Sequence, residues 1–253
     1  MLTNNTIKLI KTLDSKKSRR ENGLFVVEGE KMIKELLTSK FDVVEIFATQ
    51  PLFNELSQLT RKGQIISEIS EKDLNRISFL KTPNQALGLV RLPKESELRI
   101  PNGLSIALDN IQDPGNLGTI VRTAAWFGVN TVFCSPETVD LFNPKVIQST
   151  MGAIFRVNVC YTYLSDLIIE ANKLGIATYG TRLDGSNIYK HKLPKSAIVF
   201  MGNESKGLSP EISKAMSNNL LIPSYAKENG GIESLNVSIA TAITCAEFMR
   251  QNG

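Results

Sequence analysis

Short apolar runs alternate with stretches of helical periodicity along almost the whole chain. In the first hundred residues the runs within Gly23–Glu28, Val43–Ala48, Gln64–Ile69 and Ala86–Val90 have the length of strands. Met32, Ile33, Leu36 and Leu37 recur at helical spacing and predict a helix over 31–37, and Leu52–Leu59 and Glu71–Ile77 predict two more. Alternation on this scale predicts a small α/β unit over residues 1–95. The stretch 91–103, with two prolines, a closing glycine and many charges, reads as a connection, and the linker proper is placed at 96–103. The alternation then restarts. Leu104–Leu108, Thr131–Cys134, Val157–Cys160, Ala177–Gly180, Ala197–Met201 and Leu220–Ile222 predict a mostly parallel α/β sheet over 104–253, covered on both faces. Ligands of such sheets bind at the carboxyl ends of the strands.

Charge adds a direction to this picture. The chain carries a net +4, yet residues 1–20 hold Lys8, Lys11, Lys16, Lys17, Arg19 and Arg20 against Asp14 alone, so the remainder is close to neutral. A basic strip on a near-neutral body suits a polyanion such as RNA, although a solvated basic helix face has the same composition. No apolar stretch approaches the roughly 18 residues of a membrane span and the N-terminus is polar, which predicts a cytoplasmic protein with no membrane partner. Cys134, Cys160 and Cys245 lack the spacing of a disulfide framework or a zinc site and read as small buried hydrophobes. The single histidine, His191, sits among turn-like polar residues and reads as a solvated loop side chain. Histidine-centred catalysis and a bound metal are therefore not expected.

Three segments that follow strands carry the candidate chemistry. In the first, Asp109 to Trp126, Asp113 is placed to cap a helix with Pro114 in its first turn. Leu117, Ile120, Val121, Ala124 and Ala125 then form a buried stripe that leaves Thr119, Arg122 and Trp126 on the outside. The second, Gly202-Asn-Glu-Ser-Lys-Gly207, superficially resembles a phosphate loop but matches neither nucleotide fingerprint, so a nucleoside triphosphate site is not expected. What it offers is a flexible turn with one carboxylate, Glu204. The third runs from Leu220 to Ser238 into a closing helix over 239–249, with Ser234 as its expected cap.

In this order the segments resemble the SpoU/TrmH family of RNA 2′-O-ribose methyltransferases. The matching stretches are Asn110 to Arg122-Thr-Ala, Ile198 to Gly207, and Ile222-Pro223 with Glu233-Ser-Leu-Asn-Val-Ser238; Met151-Gly-Ala-Ile-Phe-Arg156 is similar to a further family segment. The spacer 224–231 is longer than is usual in the family. Residues 5–95 more loosely resemble the family's small RNA-binding domain.

The resemblance implies S-adenosylmethionine as methyl donor, a trefoil knot in the C-terminal part of the catalytic domain, and a homodimer. It places Thr181, Gly202, Ile222 and Leu235 along the cofactor cleft. Arg122 becomes the central catalytic candidate, with Asn116, Glu204, Ser234 and Asn236 orienting it or the ribose. Because an arginine stays protonated in ordinary surroundings, Arg122 is expected to grip the phosphate beside the target ribose and stabilise developing alkoxide, with action as the base that takes the 2′-hydroxyl proton open only where the site strongly perturbs it. Lys16, Lys17, Arg19 and Arg20 are the expected RNA contacts. The two-domain form points to ribosomal RNA of the large subunit (23S), with transfer RNA second. Two other classes stay open: a non-catalytic RNA-binding factor of the same fold, and a metabolic enzyme for a small substrate, which the missing nucleotide fingerprints and the basic strip disfavour.

Overall fold

A computed structural model of the chain describes residues 2–50, 52–59, 64–94, 97–226 and 234–253. The elements run α1 (Asn4–Thr12), α2 (Lys16–Asn22), β1 (Leu24–Glu28), α3 (Glu30–Thr38), β2 (Val43–Ala48), α4 (Leu52–Leu59), β3 (Ile66–Glu68), α5 (Glu71–Ile77), β4 (Ala86–Arg91), β5 (Leu104–Leu108), α6 (Pro114–Trp126), β6 (Thr131–Cys134), α7 (Pro144–Thr150), β7 (Asn158–Tyr161), α8 (Leu164–Lys173), β8 (Ala177–Asn187), β9 (Ala197–Met201), α9 (Pro210–Ala215), β10 (Asn218–Leu221) and α10 (Val237–Asn252). Most of the expected spacer 224–231, together with Glu233 and part of the linker, lies outside the described residues.

Several helices start where the sequence offers a side-chain oxygen to their first free amides. Thr3, Ser15, Ser70 and Asp113 each accept from the amide three residues on, and Pro114 follows Asp113 at a position that needs no amide. The closing helix departs from expectation here. Its cap is Asn236 rather than Ser234, with Asn236 Oδ1 accepting from the amides of Ser238 and Ile239, so the helix opens at Val237. An asparagine oxygen reaches both amides from one position, whereas Ser234 stands two residues too early.

The chain divides into two compact units, Met1–Lys94 with Asp140–Phe155, and Glu95–Val139 with Arg156–Gly253. The first is built on a mixed four-stranded sheet of order β1-β4-β2-β3. Ile10, Leu13, Val26, Phe47, Leu74, Ile77, Leu87 and Leu89 form a core on one side of it. On β1, the residue alternate to Val26 is Phe25, whose ring meets Phe142 at 4.7 Å between centroids; Phe41 meets Phe155 at 5.6 Å. These contacts belong to residues 140–155, which carry α7 against β1. Gly152 in this stretch has φ +95°, a conformation that favours glycine, and sits against the end of the Glu35 side chain. Residues 140–155, expected to belong to a continuous second domain, therefore pack with the first.

The second unit is the expected parallel α/β sheet, six strands in the order β10-β8-β9-β5-β6-β7 with every pair parallel. Ala107, Phe133, Ile198 and Phe200 pack with Leu164, Leu167, Ile168, Ile212 and Met216 of α8, α9 and their flank. The alternate residues Ile106, Leu108, Val132, Val199 and Met201 are buried too, so both faces are covered. The helices α6 and α10 pack on each other. The strand β8 outruns its apolar stretch and continues through polar residues to Asn187.

Candidate active site

Loops leave the carboxyl ends of β5 and β9, neighbours in the sheet of the second unit, and of β10 at its edge. After β5, the buried Asp109 accepts the Ser209 amide at 2.6 Å, and Asn110 takes a left-handed conformation at φ +58°. Asn is among the few side chains that tolerate this conformation. After β9 the chain makes a tight turn in which the Asn203 and Gly207 amides and carbonyls exchange hydrogen bonds at 3.0 and 2.8 Å. Asn203 organises this turn: its Oδ1 accepts from the amides of Ser205 and Lys206, and its Nδ2 donates to the Asn110 carbonyl at 2.8 Å. Sequence reasoning had passed over Asn203; the signal was an asparagine followed by a glycine four residues on, the composition of an Asx-type turn. Gly202 is required by packing, because a Cβ there would meet the Gly207 carbonyl carbon at 2.2 Å.

The turn delivers Glu204 to α6. Asn116 Nδ2 donates to Glu204 Oε1 at 2.6 Å, and Asn236 Nδ2 donates to Asn116 Oδ1 at 2.9 Å. The direction of this chain follows from the helix cap. Asn236 commits its oxygen to the first amides of α10, so its NH2 faces Asn116; Asn116 must then turn its oxygen to Asn236 and its NH2 to Glu204. Three residues separated by 88 and 120 positions thus form one polarised chain that ends on a carboxylate.

Arg122 is exposed on α6 and Ser234 is exposed just before the cap. Neither takes part in this chain. Arg122 is six residues from Asn116, about 9 Å further along the helix axis, and its guanidinium makes no ion pair among the described residues. It is free to grip an anion.

The residues expected to line a cofactor separate into two groups. Gly202 and Ile222 stand just past the paired stretches of β9 and β10, and Thr181 follows the last residue that β8 pairs with β9, between the two stretches it pairs with β10; the three strands are adjacent in the sheet. Thr181 Oγ1 donates to the Phe200 carbonyl at 3.0 Å and ties two of these ends together. Leu235 instead stands immediately before Asn236, half exposed. Peptide groups beyond the last paired residues can take the edge of an adenine and the polar end of an amino acid without a charged side chain, so this edge fits a nucleoside sulfonium. Among the described residues no group of three or more His, Cys, Asp or Glu converges as a metal site would.

Of the expected RNA contacts, Arg19 is displaced from that role. It is 2% exposed; Nε donates to Asp140 at 3.0 Å, Nη2 pairs with the same carboxylate, and Nη1 donates to the carbonyls of Leu13 and Asp14 at 2.7 Å. Four of its five N–H donors are used inside the first unit. Lys16, Lys17 and Arg20 are exposed on α2, with Lys17 3.8 Å from Glu21. His191, expected in solvent, is half buried and sets its ring edge-on to Tyr179 at 5.6 Å. The three cysteines are buried as expected, and burial pushes the Cys245 thiol up to about 12.

A parallel sheet with a carboxylate–amide chain at the carboxyl ends of its strands, and an exposed arginine further along α6 that makes no ion pair among the described residues, belongs to the class of α/β proteins that hold a ligand at their strand ends. The comparisons narrow this class. Residues 103–246 match the SpoU rRNA Methylase family and residues 4–88 the MRM3-like substrate binding domain. The 23S rRNA (guanosine(2553)-2′-O)-methyltransferase RlmP of Bacillus subtilis is 32% identical, over 95% of this chain and 94% of its own. A TrmH-family protein from Porphyromonas gingivalis superposes with a TM-score of 0.91 at 37% identity, covering 99% of both chains. An AdoMet-bound rRNA methyltransferase from Sinorhizobium meliloti superposes with a TM-score of 0.85 at 28% identity, covering 99% of this chain and 96% of that one. The chain belongs to the SpoU rRNA methylase family and is a methyltransferase.

Proposed function

We propose that the protein transfers the methyl group of S-adenosylmethionine to a ribose 2′-hydroxyl of 23S ribosomal RNA. The observation that carries this reading is the Glu204–Asn116–Asn236 chain, which meets α6 about 1.7 turns before Arg122. The bound donor supplies an electrophilic methyl group. The protein's task is to align a hydroxyl with it and to favour the hydroxyl's loss of a proton, and alignment alone lowers such a barrier by several kcal/mol. The strand-end peptide groups at Thr181, Gly202 and Ile222, with Leu235, hold the nucleoside and amino-acid parts of the donor. Arg122 grips the phosphate beside the target ribose and stabilises negative charge growing on the sugar oxygen. Asn116, locked between Glu204 and Asn236, keeps the first turns of α6 in register with the Gly202–Gly207 turn. Ser234 stands beside Asn236 at the same mouth and contacts the ribose.

The first unit selects the RNA, with Lys16, Lys17 and Arg20 neutralising phosphates. A loop or bulge is the natural target, since a regular duplex holds its 2′-hydroxyls along a fixed surface. This reading includes a trefoil knot in the C-terminal part of the second unit and a homodimer. The dimer is supported by Trp126, 85% exposed on α6, and by the exposed Ile239 on the adjoining α10.

Incubating the protein with methyl-labelled S-adenosylmethionine and separate 23S, 16S and transfer RNA tests the proposal. Label is expected as 2′-O-methylribose in 23S RNA. Label confined to transfer RNA would move the assignment to that substrate, and binding of RNA without any transfer would make the protein a non-catalytic factor.

A further inference from the structure

The long strand β8 does not run evenly beside its neighbour. Asn219 of β10 pairs with Gly180, but the next residue, Leu220, pairs with Ser186. Residues 181–185 of β8 therefore stand opposite a single peptide step and form an excursion at the carboxyl end of the sheet. Gly185 brings the chain back, and a Cβ there would stand 2.7 Å from the Leu220 carbonyl carbon. The first residue of the excursion is Thr181, and its tip is Leu183, 72% exposed.

One side chain spans this excursion. Arg182 Nε and Nη2 donate to the two carboxylate oxygens of Asp184 at 2.8 and 2.7 Å, and Nη1 donates to Ser213 Oγ on α9. The fork joins the two flanks of Leu183 and fastens them to a helix outside the strand. The same contact holds the Asp184 carboxyl below its ordinary value. An exposed pair adds little to global stability. Its fixed geometry instead restricts the conformations open to the five residues between Gly180 and Ser186.

We propose that Arg182 is a positioning residue for the methyl donor: with Asp184 and Ser213 it holds the 181–185 excursion in the shape that receives the donor nucleoside. This rests on the assignment of Thr181 to the donor cleft. When the brace is absent the excursion samples other shapes, and apparent affinity falls by the fraction of molecules in the competent one. Arginine is required because a lysine cannot hold both carboxylate oxygens and the serine together.

The test is steady-state methyl transfer with donor and RNA varied separately, joined to direct binding of S-adenosylmethionine by calorimetry on the full chain. Arg182→Ala and Asp184→Ala are each expected to raise the KM and Kd for the donor about tenfold. The kcat at saturating donor should stay within twofold, with the KM for RNA and the melting temperature unchanged. Ser213→Ala keeps the arginine–carboxylate fork and should give a smaller rise, with Arg182→Lys intermediate. An unchanged donor KM in Arg182→Ala, or a fall in kcat that parallels a loss of melting temperature, would overturn the proposal. If the unaltered chain binds no S-adenosylmethionine, it is the underlying donor assignment that fails.

Discussion

Replacing Arg19 with alanine tests how residues 140–155 are held. The substitution leaves the Asp140 carboxylate, 17% exposed, without its two guanidinium donors, and it leaves the Leu13 and Asp14 carbonyls without theirs. Breaking a buried pair by removing one partner costs about 3–5 kcal/mol. Partial exposure of Asp140 places this case toward the lower end of that range, and the orphaned carbonyls add about 1 kcal/mol or more where water cannot reach them. The expected cost is about 3–4 kcal/mol, a large share of the roughly 5–15 kcal/mol of an ordinary domain. Asp140→Asn keeps an acceptor oxygen but leaves the buried Arg19 guanidinium uncompensated, and should cost a comparable amount. The pair substitution Arg19→Met with Asp140→Leu should recover most of the loss, since an apolar pair of similar volume leaves no buried charge. Urea unfolding followed by circular dichroism gives the free energies. Hydrogen exchange read by mass spectrometry should show faster exchange concentrated in 140–155 and in α2. A cost below about 1 kcal/mol with unchanged exchange in 140–155 would refute this reasoning.

Replacing Lys16, Lys17 and Arg20 together by alanine should leave urea stability unchanged, weaken RNA binding, and flatten its salt dependence by about 0.7–0.9 in log–log slope per lost phosphate contact. An unaltered salt slope would remove α2 from the RNA surface. Asn116→Ala should lower kcat for methyl transfer about 10–100-fold by freeing Glu204 and Asn236, and Arg122→Ala should lower it further, with Arg122→Lys between wild type and alanine; near-normal turnover in both Arg122 variants would take that residue out of the mechanism. Glu28 is buried beneath the Ser78 hydroxyl and the Phe79 amide, and burial raises its carboxyl above the ordinary value near 4.5. The folded state therefore holds this proton more tightly than the unfolded chain, so Glu28 costs stability as pH rises from about 4.5 through its raised value. Urea midpoints of wild type and Glu28→Gln compared at pH 4.5 and 7.5 should show the variant losing less on the way up.

The strands of the second unit were legible because a strand buried on both faces is a short unbroken apolar run, and Leu104–Leu108, Thr131–Cys134 and Ala197–Met201 form where such runs lie. The α6 cap was legible because Asp113 and Pro114 are each suited to one position of a helix start. Other features were hidden for physical reasons. Lys16, Lys17, Arg19 and Arg20 are equivalent in charge, and only the orientation of α2 turns Arg19 inward to Asp140. The turn signals in residues 140–155, Asn143-Pro144 and Met151-Gly152, look like ordinary loop punctuation and do not mark a departure to the first unit. The end of β8 was read at Gly180 because the apolar run stops there, whereas the strand continues on backbone pairing with β10 that polar side chains do not announce. Asn116, Glu204 and Asn236 were each visible as candidates on family likeness, but their junction depends on sheet order, which no local pattern encodes.

The central claim is that the Thr181 excursion of β8 and the carboxyl ends of β9 and β10 receive the methyl donor on the side where Arg122 stands. A crystal structure of the protein with S-adenosylhomocysteine, the demethylated donor, tests this most directly. The nucleoside should lie against the peptide groups of Thr181, Gly202 and Ile222 with Leu235 beside it, and its sulfur should face the surface where Arg122 stands. Clear density for the ligand at any other part of the sheet, or on the first unit, would contradict it.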